Sequence, residues 1–114
     1  MSQPDRRPYW TDCLAPYAHP SWGAGLADVA TSVVPYLAFC VLMYLLLPVS
    51  PLLTLALAIP ACGFLVRTFC VFHDCSHGSL LPSRRANAYV GALAGLLVLA
   101  PFRRWRHDHA VHHA

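Results

Sequence analysis

Lysine and glutamate are absent from the 114 residues, and charged side chains make up only 11% of the chain. The charge set is eight arginines against five aspartates, a formal net charge of +3. Nucleic acid is excluded as an expected partner, because the arginine pairs flank apolar stretches and no base-reading motif accompanies them. No two cysteines have the C-x-x-C spacing. The five present, Cys13, Cys40, Cys62, Cys70 and Cys75, are an odd number and three lie in apolar runs, so they read as small buried hydrophobes. Nor does a short apolar stretch with a small-residue cleavage site follow Arg6-Arg7, and no cleaved signal peptide is expected.

What is there is apolar: 57% of the chain is hydrophobic, the composition of a membrane protein. Residues 1–28 form a polar, aromatic leader broken by Pro4, Pro8, Pro16 and Pro20, with a helix start near Ser21 or Asp28. Trp10, Tyr17 and Trp22 suit a membrane–water interface as readily as ordinary packing. Val29 to Leu47 carries no charge. At about 1.5 Å per residue it comes close to the roughly 20 residues that cross a bilayer, with Pro35 as a tolerated kink. Pro48-Val49-Ser50-Pro51 ends it, and Leu52 to Phe72 is a second span interrupted only by Arg67. That arginine can snorkel to the interface or pair with an acid. Residues 29–72 therefore read as a transmembrane hairpin that returns the chain to the side of Arg6-Arg7. Arg84, Arg85, Arg103, Arg104 and Arg106 follow on that side, and the positive-inside bias assigns it to the cytoplasm.

The remaining 73–114 segment holds two histidine clusters. The first is His73-Asp74-Cys75-Ser76-His77, and the second His107-Asp108-His109-Ala110-Val111-His112-His113. On a helix, His73 and His77 share a face at i and i+4, as do His109, His112 and His113 at i, i+3 and i+4. Five imidazoles can then converge on a metal. Imidazole suits iron, zinc, copper or nickel, and spacing alone does not choose among them. Cys75 reaches the metal only if the local helix is distorted. Between the clusters, residues 88–102 are an apolar run too short to cross a bilayer, and one crossing would part the clusters. An interfacial or re-entrant helix is expected there. Gly91 and Gly95 form a G-x-x-x-G that permits close helix packing.

These motifs resemble those of membrane fatty acid desaturases of the bacterial omega-6 or delta-12 type. Gly63-Phe64-Leu65-Val66-Arg67-Thr68-Phe69 leads into His73-Asp74-Cys75-Ser76-His77-Gly78-Ser79, which resembles the family's H-D-x-x-H-G-S box. Trp105-Arg106-His107-Asp108-His109-Ala110-Val111-His112-His113-Ala114 resembles its H-x-x-H-H box. The resemblance implies an all-α membrane protein in which the hairpin and interfacial helix are an incomplete desaturase-type fold. It also implies a di-iron, dioxygen-dependent oxidoreductase that introduces a cis double bond into a fatty acyl chain. His73, His77, His109, His112 and His113 would be iron ligands, with Asp74 and Asp108 behind them as acceptors for imidazole N–H groups. Asp74 alternatively serves as a partner for Arg67. The substrate would be a fatty acyl lipid or acyl-CoA in membrane lipid, and the electron donor a ferredoxin or cytochrome b5. The setting would be a bacterial inner membrane, with the N-terminus and both boxes cytoplasmic.

Several residues depart from the pattern. Ser76 stands where many relatives have Gly, Leu80-Leu81 where aromatic residues are common, and His107 where Arg is more usual. His107 is accordingly not counted as a ligand. The family's third box and two further spans have no counterpart, so the chain is expected to be inactive alone, as a truncated product or a partial sequence. Two other functions fit the same residues: a related membrane hydroxylase, and a non-catalytic membrane protein that binds a metal such as zinc or nickel. The second would want ligands inside the spans.

Overall fold

The computed structural model describes Pro8 and residues 10–114, and every regular element among them is helical. Arg6 and Arg7, on which the expected sidedness partly rests, lie outside the described residues. A short helix α1 (Trp10–Leu14) and a 3-10 turn (Ala15–Tyr17) come first, with Trp10 and Tyr17 exposed.

Helix α2 (Trp22–Leu46) begins seven residues before the expected span, because the Ser21 hydroxyl caps it by accepting from the Ala24 N–H at 3.2 Å. Its 25 residues give about 37 Å of helix, enough to cross roughly 30 Å of hydrocarbon even with Pro35 inside. Pro48 and the backbone turn at Leu46–Ser50 stop it, and Ser50 caps helix α3 (Pro51–His77) with Pro51 in the first turn. Both helices are long and apolar enough to cross a membrane. A four-residue connection makes them antiparallel neighbours, with Phe39 stacked on Phe64 at 5.8 Å. Among the described residues Arg67 pairs with no acid: its guanidinium donates to the Thr31 hydroxyl at 3.1 Å, and that hydroxyl donates on to the Ala27 carbonyl.

Most hairpin side chains face outward, as a lipid solvent requires, and the packed core sits at one end. There Val71, Phe72 and Cys75 of α3 meet Leu80, Leu81, Ala94 and Phe102. Leu80 and Leu81, which depart from the family pattern, are core residues. Gly78 ends α3 in the left-handed region at φ 70, which only a residue without Cβ adopts without strain. The following loop is fixed by the buried Asn87 amide. Its Nδ2 donates to the Leu81 and Ser83 carbonyls at 2.7 and 2.9 Å, and its Oδ1 accepts from the Leu81 N–H at 3.0 Å.

Helix α4 (Arg84–Leu97) is capped by Ser83 and so starts before residue 88; it stops before 102 because Leu99 turns into the left-handed region and the Ala100 N–H closes on the Gly95 carbonyl at 2.9 Å. Its 14 residues, about 21 Å, are too few to cross. The chain turns through Leu99 at φ 57 into helix α5 (Phe102–His113), at 104° to α4. The G-x-x-x-G is used within the chain. A methyl at Gly91 would overlap the Phe102 ring, and one at Gly95 would stand 2.6 Å from the Ala100 carbonyl and 3.2 Å from Phe72.

Candidate metal centre

Helix α3 continues past Phe72 to His77, so His73 and His77 stand on consecutive turns of an undistorted helix. Helix α5 crosses that end and presents His109 and His113 in the same way. One nitrogen from each of these four imidazoles lies within 4.8 Å of all the others. The Nε2 atoms form a chain: His73 to His77 at 3.3 Å, His77 to His109 at 3.0 Å, and His109 to His113 at 2.9 Å.

Hydrogen bonding does not account for this arrangement. An imidazole nitrogen offers either one N–H or one in-plane lone pair, and so serves one partner. The His77 and His109 Nε2 atoms each face two others. Neighbouring ligands about 2.1 Å from a metal stand about 3.0–3.4 Å apart, so the successive Nε2 spacings suit four imidazoles that could hold a metal ion. The donor set fits a borderline metal such as iron or zinc.

The remaining candidates divide. His112 is outside the four: its ring centre is 6.3 Å from that of His109, because residue 113, and not 112, lies on the stripe of α5 that faces α3. Asp74 Oδ1 is 3.3 Å from His73 Nδ1, the position of an acceptor that fixes a ligand's tautomer. Asp108 instead lies 3.8 Å from Arg104 Nε on the exposed side of α5. Cys75 is in the core and outside the cluster.

The sequence did not point to the platform beneath the rings. Trp105, one turn before His109, stacks on it at 5.3 Å with the planes 16° apart. Trp105 in turn meets Phe69 edge-on at 5.5 Å and Phe72 at 5.6 Å, and Phe72 meets Phe102 at 5.6 Å. The i, i+4 spacing of Trp105 and His109 is a signal that could have shown this stack. Trp105 Nε1 is buried without a hydrogen-bond partner. The His109 imidazolium is held below its ordinary pKa by desolvation, then by the charges of His113, His73, His77 and His112. The neutral, ligating form is favoured.

Residues 48–114 match the family model for fatty acid desaturases. A fatty acid desaturase of Bacillus subtilis is 42% identical over 104 residues, 91% of this chain and 30% of that protein. An sn-1 oleoyl-lipid 12-desaturase of Synechocystis is 32% identical over 104 residues, 90% of this chain and 27% of the relative. An sn-1 acyl-lipid omega-3 desaturase (ferredoxin) of the same organism is 44% identical over 46 residues, 40% of this chain and 13% of the relative. The chain thus spans under a third of the length of these relatives. No solved structure matches.

Proposed function

The chain belongs to the fatty acid desaturase family, and from that premise we propose that it supplies part of the metal centre of an enzyme that introduces a cis double bond into a fatty acyl chain. The observation that carries the reading is the convergence of four imidazoles from two separate helices at the end of a hairpin long enough to span a bilayer. In this reading His73, His77, His109 and His113 are iron ligands, and His112 serves the same iron pair from the neighbouring stripe of α5. Iron with dioxygen supplies the oxidation that an unactivated C–H bond demands, and the protein supplies binding, orientation and electrostatics.

The chain's own contributions follow from its contacts. Asp74 holds the His73 ring by accepting at Nδ1, leaving Nε2 free to ligate. Trp105 fixes the plane of His109. The Phe69–Phe72–Phe102–Trp105 platform lines the inner side of the cluster with apolar surface, which keeps water from that side. The substrate is an acyl lipid or acyl-CoA, and the electron donor a ferredoxin or cytochrome b5; relatives named for acyl lipids and ferredoxin support the first of each pair. Arg84, Arg103 and Arg106 line one cavity with His77, and this concentration of arginine near the imidazoles supports a cytoplasmic site on a bacterial inner membrane.

The test is a chimera in which this chain replaces the matching segment of the Bacillus relative. Unsaturated lipid should form in cells carrying it, and His77→Ala should abolish product and lower bound iron. A folded chimera whose His77→Ala form keeps both product and iron would overturn the ligand assignment. Iron without product would favour a non-catalytic metal protein.

A further inference from the structure

Helices α4 and α5 meet at their 104° elbow around an open cavity of about 950 Å³. One stripe of α4 lines it through Arg85, Tyr89, Ala92 and Leu96, at spacings of four, three and four residues. From α5 come Arg103 and Arg106, the latter with its guanidinium carbon 5.8 Å from the centre of the Phe102 ring. No carboxylate lines the cavity, and among the described residues none pairs with Arg85, Arg103 or Arg106. The acid of α5, Asp108, faces Arg104 instead. Arg103 and Arg106 also line a second cavity, of about 560 Å³, together with Arg84, His107 and His77. Three cationic forks on an apolar wall suit a ligand with a phosphate at one end and hydrocarbon at the other.

The elbow itself shows which source of that chemistry is at hand. Leu99 is 92% exposed and holds a left-handed conformation that a leucine adopts only at a cost. Leu96, on the last turn of α4, and Tyr89, two turns earlier on the same stripe, are also largely exposed. Such an apolar tip is stable in hydrocarbon, and the elbow stands at the end of two bilayer-length helices, where headgroups lie.

We propose that the α4–α5 cavity binds an anionic phospholipid of the surrounding bilayer, its phosphate held by Arg85, Arg103 and Arg106 and its acyl chain laid against Tyr89, Ala92 and Leu96. The lipid fixes the depth of α5, and with it His109 and His113, relative to the membrane surface. The inference rests on α2 and α3 being membrane spans and is independent of the metal assignment.

The test uses the whole chain in a neutral detergent, titrated with phosphatidylglycerol, with phosphatidylcholine of the same acyl chains, or with inorganic phosphate. Bound lipid is counted by native mass spectrometry, and cobalt binding at the imidazoles is followed in the same samples. Phosphatidylglycerol should bind more tightly than phosphatidylcholine, and added salt should narrow the gap. Each arginine near an anionic lipid is worth about fivefold in affinity, so Arg103→Gln with Arg106→Gln should weaken phosphatidylglycerol binding about 25-fold. The Lys pair at these positions should keep most of it, and Arg104→Gln should change nothing. Equal affinity for the two lipids, phosphate binding as tight as phosphatidylglycerol, or an unaffected Gln pair would each overturn the proposal. Any of these with cobalt binding intact leaves the metal centre standing.

Discussion

Replacing Trp105 separates the platform's role from that of the ligands, because the residue carries no donor to the cluster yet fixes the plane of one. It makes three ring contacts: His109 at 5.3 Å, Phe69 at 5.5 Å and Phe72 at 5.6 Å. Each such pair contributes about 0.5–1.5 kcal/mol beyond area burial, so Trp105→Ala should destabilise the α3–α5 junction by about 1.5–4.5 kcal/mol. Only the His109 contact bears on ligation, and its share corresponds to about a 2- to 12-fold loss in metal affinity. Trp105→Phe offers the sharper comparison. It keeps a ring in place while removing an Nε1–H that is buried without a partner. A buried donor left unmade costs about 1–3 kcal/mol, so the loss of ring area is offset, and the Phe variant should be much milder than Ala. The assay is thermal unfolding in detergent by circular dichroism, with cobalt affinity measured against a competing chelator. Wild-type cobalt binding by Trp105→Ala, or a Phe variant as damaged as Ala, would refute a role for the Trp105 ring in fixing His109.

Other outcomes follow from the same geometry. His109→Ala should lower cobalt affinity in this chain far more than His112→Ala, because His109 Nε2 faces two of the other imidazoles and His112 stands outside the four; equal losses would argue for a different face of α5. Gly91→Ala should destabilise the chain by about 1–3 kcal/mol through overlap with the Phe102 ring, read as a fall in melting temperature. The metal-free chain should lose stability as pH falls through about 6.5. There the unfolded chain takes up a proton at His109 that the folded chain, with its lowered pKa, does not yet bind. His109→Gln should flatten that decline in a series of melts from pH 8 to pH 5, and an unchanged slope would assign the loss to another group.

How much of this was legible depended on whether one helix or two decided it. Ser21 is legible as a helix start through local capping, whereas the same capping by Ser50 and Ser83 places the starts of α3 and α4 ahead of the apolar runs expected from Leu52 and residue 88. The i, i+4 pairs His73–His77 and His109–His113 needed only the period of the helix. What spacing left open was the rotation of α5. His109, His112 and His113 all fit one broad face, and the choice of 113 over 112 comes from Phe102 lying over Gly91 and Trp105 lying against Phe69 and Phe72. Asp74 and Asp108 occupy similar places in their motifs, yet each meets a residue of its own helix, His73 beside Asp74 on α3 and Arg104 one turn before Asp108 on α5.

The packing of the elbow and the geometry of the metal cluster are therefore one problem. Gly91 and Gly95 clear space for Phe102, Phe72 and the Ala100 carbonyl, which sets where α5 leaves α4. The Asn87 clamp fixes the loop that joins α3 to α4, and so sets where α4 begins relative to His77. Four imidazoles that meet within 4.8 Å thus depend on two glycines and an asparagine that lie outside the cluster itself. A bilayer-facing hairpin has little packed core of its own, and the buried side chains are concentrated where α3, α4 and α5 join. Stability and ligand geometry draw on the same contacts, so variants that loosen the elbow should lose metal affinity before they lose the transmembrane helices.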